Sequence, residues 1–536
     1  MPSPAPAPVD PLAVAGEATG AQILRASGVV ASCTLASRVL GLVRDSLGAA
    51  TFGAGWVYGA FQLGWLLPNL FRRLFGEGAL ASAFIPAFAR ASRDGGTEAA
   101  RRLVASVAWA LLGVLGGLAV AAAAAALLLP PRWIAPLLGE AAAAGLVLRV
   151  SAILSPYLLL VCLYALATGV LNSRGRFFPP AVAPAVLNLV WIAGFAFLAL
   201  LPPGTLEEGA VLLAFFVLAG GVAQLALQLP ALRSEGFLVR PRLDRNDPGF
   251  REVVRDMVPI VLGLSLVQVN LVVDQLVAWA LISPGANTYV YLGNRLLQFP
   301  LSMVGMAAAS ASFPALAERA AARDFPGFRR ALDRTLGLVV FLAAPAGAGL
   351  FVLAEPVTRL LFGHGRFGPA DVAKAAGAVG MFALGVPFLC AAQILARAHY
   401  ALGDTRTPVR IAAILVLVNF ALNLLLVRPL GVAGLALATT LGSAANGWAL
   451  ARKLRARGDV PGTAGLRGSL LRSALGALAC GLAAFAVRRA CAGAGLFPSV
   501  AAAVGAGAAA TFVAAAWLRS GEVRDLRAAF ARRRSR

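Results

Sequence analysis

Apolar residues along this chain gather into runs of roughly twenty, the length a helix needs to cross a bilayer. They fall at 27–50, 55–75, 103–130, 141–171, 178–201, 209–231, 257–282, 287–313, 335–354, 376–400, 409–427, 431–450, 469–490 and 496–518. The second run continues into a helix ending near Arg93, because 79–92 stays apolar and rich in small residues. A soluble protein with one large core would instead show amphipathic helices, each with a polar face. The pattern predicts an all-α polytopic membrane protein of about fourteen transmembrane helices.

The joints between runs set the orientation. Those after even-numbered runs carry Arg90, Arg93, Arg101 and Arg102, then Arg174 and Arg176, then Arg233, Arg240, Arg242 and Arg245. Later ones carry Arg319, Arg323, Arg329 and Arg330, then Arg406 and Arg410, then Arg452, Lys453, Arg455 and Arg457. Joints after odd-numbered runs are short or acidic, as at Glu207 and Glu208, with 355–375 and Arg488–Arg489 as exceptions. Basic connections stay cytoplasmic, so both termini are expected inside.

Composition agrees: 59% hydrophobic, 13% charged, mean hydropathy +0.80, with 47 Lys plus Arg against 24 Asp plus Glu. In a soluble chain such basicity would suggest nucleic acid. Here the excess sits in the joints and no nucleic-acid motif accompanies it, so that partner is excluded. The five cysteines lie in apolar segments without CxxC spacing, and His364 and His399 are the only histidines; no metal site is read from them. Residues 1–20, rich in Pro and Ala, read as a disordered leader, and the basic tail at 521–536 as an anchor to anionic headgroups.

An internal repeat is visible. ALASAFIPAFARA at 79–91 resembles AAASASFPALAER at 307–319, setting Pro86 against Pro314, 314 − 86 = 228. Asp45 pairs with Asp274 (274 − 45 = 229) and Asn188 with Asn419 (419 − 188 = 231). Two homologous six-helix lobes would leave this trace: an N-lobe at 21–235, a C-lobe at 236–460, and an added helix pair at 461–520. Transporters place substrate between such repeats and rock one against the other.

Charges inside the runs are the candidate chemistry. SRVLGLVRD at 37–45 holds Arg38, Arg44 and Asp45; seven residues apart, Arg38 and Asp45 share a face, with Arg44 on another. LPNLFRRLFGEG at 67–78 holds Pro68, which invites a kink, then Arg72, Arg73 and Glu77, with Arg73 and Glu77 four apart. Arg295 lies in YLGNRLLQFP of the eighth run. An Arg near a helix centre costs about 2.5–3.5 kcal/mol, so several need an offsetting gain. Snorkelling and structural ion pairs account for Arg149 and Arg397, and for one of Arg72 and Arg73. The functional reading is a water-filled cavity between two bundles, whose guanidinium forks suit phosphate oxygens. Asp274, with Asn270 one turn earlier, could hold Na⁺ or a proton, or pair with an Arg. No nucleophile–base pair or phosphate-cradling loop is evident, so the chain is not read as an enzyme, and its energy would come from an ion gradient or the membrane potential.

These segments resemble the MurJ (MviN) family of lipid II flippases, of the multidrug/oligosaccharidyl-lipid/polysaccharide exporter superfamily. The likeness is most specific in SRVLGLVRD, in 67–88, in YLGNRLLQFP, in LLFGHGRF at 360–367 and in ALGDTRTPVRIA at 401–412. It implies movement of undecaprenyl-diphosphate-linked GlcNAc–MurNAc-pentapeptide from the cytoplasmic to the periplasmic leaflet of the bacterial inner membrane, for peptidoglycan synthesis. It implies two six-helix lobes in a V around a central cavity, alternating access, and two C-terminal helices forming a groove for the lipid tail. Membrane lipids and the wall-synthesis machinery would be its other partners, with no cofactor. The family's cavity arginines carry over onto Arg38, Arg44, Arg72, Arg73 and Arg295, with Asp45 and Glu77 as companions and Asp274 as coupling-ion candidate. Gly59, Leu66 and Asn294 depart from the family's Asp, Lys and Asp, which reduces the cavity's charge. Rival readings are a flippase for another undecaprenyl-linked oligosaccharide, a drug exporter, which should line its cavity with carboxylates, and a scaffold, which would tolerate loss of the arginines.

Overall fold

The computed structural model describes residues 20–457 and 466–518, apart from a few side chains, Glu77 among them. The expected leader and basic tail lie outside the described residues. Among the described residues there is no strand. The long helices, in order, are α1 (Gly20–Phe52), α2 (56–94), α3 (Gly96–Leu128), α4 (Ala141–Ser173), α5 (Phe178–Leu200), α6 (Leu206–Ser234) and α7 (Pro248–Leu281). There follow α8 (Asn287–Ala321), α9 (Phe325–Val352), α10 (Pro369–Ala401), α11 (Arg406–Leu430), α12 (Val432–Arg455), α13 (Leu466–Ala490) and α14 (Leu496–Trp517). Short helices at Pro131–Leu138 and Ala354–Phe362, which the apolar runs did not announce, lie in the joints.

By length and apolar composition, 10 helices among the described residues suffice to cross a membrane. Those outside that set are α1, α2, α7 and α12: α1 and α2 carry the charges singled out above, α12 is rich in Gly, Ser, Thr and Asn, and the apolar stretch of α7 at Gln268–Leu281 is preceded by side chains outside the described residues. Of the ten, α8, which carries Arg295, is the least apolar. Two of the helices that fall short as membrane spans, α1 and α2, carry residues of the site.

Local signals place the ends. Thr205 and Glu208 form a capping box at the start of α6, and Asp247 accepts from Gly249 and Phe250 at the start of α7. Two buried cores form, one from Phe52 through Val253 with Trp279, the other from Val277 through Leu454 with Ala49. In the first, α1 packs on α5; in the second, α7 packs on α11. This is the contact a duplicated unit requires. The added pair stacks outward, α13 on α9 and α14 on α13, leaving Leu471, Leu478, Leu482 and Phe485 exposed to lipid.

Both α2 and α8 contain a wide π-type stretch, Arg72–Ala79 and Leu301–Met306. Their starts differ by 301 − 72 = 229, the same interval that separates Asp45 and Asp274. Pro68 and Pro300 precede them; a proline has no N–H for the i−4 carbonyl and its ring clashes there, so the turn widens instead of closing.

At the end carrying the 53–55, 282–286 and 363–368 loops, the two cores touch. Arg366 N–H donates to Ala50 O at 2.8 Å, and Asn287 Nδ2 donates to Gly59 O at 3.0 Å. Gly59 is the reason α2 can approach so closely. A Cβ there would lie 2.6 Å from both Asn287 Oδ1 and Gly285 Cα. Where the resemblance implied an Asp, the structure has a tight helix-to-loop contact with no room for a side chain.

Candidate functional site

Arg38 and Asp45, seven apart on α1, meet Ser302 and Arg295, seven apart on antiparallel α8. Arg38 Nη1 donates to Ser302 Oγ, and Arg295 Nε pairs with Asp45 Oδ2 at 2.8 Å. Gly41, between them on α1, is what admits Arg295: a Cβ there would collide with its Nη2. Arg44, expected on another face, bends back onto Asp45 instead. Its Nε and Nη2 donate to Oδ1 at 2.9 and 2.6 Å, a forked contact. Asp45 is 1% exposed, so two guanidiniums share one buried carboxylate.

Neutral residues complete this node, of which the sequence reading used only Asn188, and that as a repeat landmark. Tyr291, one turn before Arg295, donates its hydroxyl to Asp45 Oδ1 at 3.0 Å and accepts from Arg44 Nη2 at 3.1 Å. Asn188 Oδ1 accepts from Arg44 Nη1 at 3.1 Å while its Nδ2 donates to Ser37 O at 3.0 Å. Trp191, one turn on from Asn188, lies under the guanidinium, 4.4 Å from its carbon to the ring centre. The one-turn spacings Tyr291–Arg295 and Asn188–Trp191 were the available signal.

A second tier lies deeper. Counting 1.5 Å per residue from the 53–55 and 282–286 loops, Asp45 and Arg295 sit about 12–14 Å in, whereas Arg38, Ser302, Arg72, Arg73 and Gln268 sit about 21–27 Å in. The contacts agree with this layering: Arg38 reaches Ser302, and Arg73 Nη1 reaches Gln268 Oε1 at 3.5 Å. Arg72 donates to Asn69 Oδ1 at 3.2 and 3.1 Å. The side chain of Glu77, and with it the expected Arg73–Glu77 pair, lies outside the described residues. Of the arginines read as structural, Arg149 is exposed and Arg397 donates to Ala309 O at 3.2 Å.

The space beside Asp45 is small, about 20 Å³, lined by Tyr58, Gln62, Trp65, Leu66 and Gln275 among others. It has room for a water molecule, not for a diphosphate. The wide hollow expected from the sequence is closed at this node, with Arg44 and Arg295 both held on Asp45. Leu66 stands on its wall where the family's Lys was expected, and Asn294 turns away to accept from Gln298 Nε2 at 2.8 Å.

Asp274 lies apart from every arginine named above. Asn423 Nδ2 donates to its Oδ1 at 2.6 Å, and Thr439 Oγ1 to its Oδ2 at 3.3 Å. Asn423 also donates to Asn419 Oδ1 at 3.1 Å, while its own Oδ1 is buried without a hydrogen-bond partner. Asn270 Oδ1, buried and likewise unpartnered, accepts no hydrogen bond from this cluster.

Outside the membrane, two carboxylates fasten the connections. The single Nε contacts of Arg176 (2.7 Å, to Oε1) and Arg174 (3.3 Å, to Oε2) hold Glu235 below the usual carboxylate range. Partial burial pushes Asp404 upward, but the Thr407 N–H and hydroxyl and the neighbouring His399 outweigh it and bring it down to about 2. His399 in turn reaches Leu450 O at 3.1 Å, tying α10 to α12.

Fold and site together define a multi-pass membrane protein of the two-lobed transporter class, with guanidinium groups set at the contact between lobes. Residues 48–498 match the family model described as lipid II flippase MurJ. A Vibrio cholerae serotype O1 protein named as a probable lipid II flippase MurJ is 35% identical over 449 residues, covering 82% of this chain and 84% of its own. A solved lipid II flippase MurJ in an inward closed conformation superposes with TM-score 0.74 at 22% identity, over 93% of this chain and 99% of that one. An inward-facing multidrug resistance transporter of the MATE family and MOP superfamily gives 0.63 at 15% identity, over 77% and 94%. The chain belongs to the MurJ family of lipid II flippases.

Proposed function

We propose that this chain carries lipid II, the undecaprenyl-diphosphate-linked GlcNAc–MurNAc-pentapeptide, from the inner to the outer leaflet of the bacterial inner membrane by alternating access. The single observation that carries the reading is the meeting of Arg44 and Arg295, from the two repeats, on one buried carboxylate at the lobe contact. A guanidinium stranded in low dielectric is costly, so it needs an anionic partner at every stage. Asp45 is that partner while the lobes are together. A diphosphate entering between them offers several oxygens to the same forks, and Arg38, Arg72 and Arg73 supply cationic charge one tier nearer the arginine-rich end. Return of Arg44 and Arg295 to Asp45 then favours release. The substrate undergoes no covalent change.

Energy would come from an ion. The Asp274 cluster suits one: a buried carboxylate is held by Asn423 and Thr439, with Asn419 Oδ1 hydrogen-bonded beyond Asn423, whose own Oδ1 is buried and unpartnered. Na⁺ bound there, or a proton on Asp274, would satisfy the oxygens and relieve the buried charge. The arginine-rich connections support a reading with both termini in the cytoplasm.

The test is replacement of the resident lipid II flippase in a conditional strain by this chain, with lipid II accessibility read at the outer leaflet. Restoration is expected. Failure to restore lipid II together with export of a different undecaprenyl-linked oligosaccharide would overturn the substrate assignment. For the ion, thermal stabilisation by Na⁺ or by lowered pH is expected in the native chain and absent in Asp274→Asn; identical responses would remove the assignment.

A further inference from the structure

The space beside Asp45 carries more hydrogen-bonding capacity than its ion pairs use. Gln62 of α2 is 6% exposed, and neither its Oε1 nor its Nε2 has a hydrogen-bond partner. Tyr58, one turn earlier, lies near Gln62 without a hydrogen bond of normal geometry to it. Across the lobe contact, Gln275 Oε1 of α7 is buried and unpartnered, as is Trp191 Nε1 of α5. All three residues line the same pocket. They present two amide oxygens and two nitrogen donors, drawn from both lobes. Unsatisfied polar groups are costly to bury, so four of them on one small pocket point to a ligand.

Most of the remaining wall is aromatic. Trp65 and Trp191 meet edge to face with ring centres 5.4 Å apart, and Tyr58, Phe61 and Tyr291 stand beside them. Aromatic faces next to planar amides suit a sugar ring. Its C–H faces rest on the aromatic rings, while its hydroxyls exchange hydrogen bonds with amide and indole groups. A phosphate would go to the guanidinium forks instead, and an apolar tail would leave all four polar atoms unpaired. The position agrees. Trp191 lies under the Arg44 guanidinium and Tyr291 accepts from Arg44 Nη2, so a ring bonded to a diphosphate on Arg44 is delivered to this wall.

We infer that Gln62, Gln275 and Trp191 form the subsite that reads the sugar ring next to the diphosphate, its hydroxyl and acetamido groups pairing with the four atoms. The inference rests on the function proposed above and names the part of the substrate that these residues select. While the lobes are together, about 20 Å³ admits only a water to them. Parting of the lobes draws Gln275 away from Gln62 and Trp191 and makes room for the ring between them.

The purified full-length chain is titrated with undecaprenyl diphosphate and with undecaprenyl-diphosphate-linked N-acetylglucosamine, which carries no peptide, and adducts are counted by native mass spectrometry. The sugar-bearing lipid is expected to bind about a hundredfold more tightly, the gain of two buried hydrogen bonds at about tenfold each. Gln62→Leu and Gln275→Leu should each cut that preference about tenfold. Without ligand, Gln62→Leu should hold or raise the thermal midpoint, because it removes two unpartnered buried atoms. Equal binding of the two lipids by the native chain, or a preference unchanged in both variants, would overturn the inference. So would a lowered midpoint in Gln62→Leu with the preference intact, the mark of a purely structural side chain. Failure of the underlying function has a different signature: undecaprenyl diphosphate would bind Arg44→Ala as tightly as the native chain, and the subsite would fall with it.

Discussion

A guanidinium inside a bilayer survives only with its donors and charge satisfied, and Arg44 meets both conditions through Asp45, Asn188, Tyr291 and Trp191. Lysine keeps the charge but not the fork, so Arg44→Lys should lower outer-leaflet lipid II delivery by about tenfold or more, with membrane levels unchanged. Gly41→Leu should have a similar effect by pushing Arg295 off Asp45; normal delivery would show that the contact is incidental. Asp404 permits a pH experiment. Its carboxyl is depressed in the folded state, so its contribution is complete above the unfolded value of about 4 and fades as pH falls toward about 2. The thermal midpoint should drop across that window in the native chain, and drop less in Asp404→Asn, which should start lower at neutral pH. Charges in apolar runs stand out in a sequence, which is why Arg38, Arg44, Asp45, Arg295 and Asp274 were legible. Asn423, Thr439, Tyr291 and Trp191 were not: neutral polar and aromatic residues are ordinary in such helices, and their role depends on which neighbour each face meets.

The π stretches of α2 and α8 place Arg72, Arg73 and Ser302 at matching depths in the two repeats. A helix with a widened turn can shift register at low cost, which suits elements that move against each other. Pro300→Ala restores the missing N–H, so the chain should become more heat-stable while transporting more slowly. A gain in both would separate the π turn from transport. Gly59→Ala should lower the thermal midpoint by forcing α2 off Gly285 and Asn287, an effect measurable in detergent. Proline positions gave away the kinks, but not that they would resolve as π turns. Gly59 looked merely like a missing charge, because the close approach it allows comes from a loop more than two hundred residues away.

Three pairs sharing nearly one interval are what suggested a duplication with a lobe boundary. The repeat contacts α1–α5 and α7–α11 follow from it. What no one-dimensional pattern could specify was how far apart the lobes stand. In this structure Asp45 has room beside it for only a water molecule, and the loop ends touch through Ala50 and Arg366. If transport requires these ends to part, cysteines at 50 and 366 in a background without native thiols, joined by a short bifunctional reagent, should stop lipid II delivery until the tether is cleaved. Full delivery while tethered would exclude opening at this end. The central claim is that guanidiniums from both repeats must take hold of the diphosphate. It is tested most directly by outer-leaflet lipid II in cells depending on Arg44→Ala or Arg295→Ala, each shown to be inserted at native levels. Loss of delivery in both is the expected result; delivery at the native rate in either would contradict it.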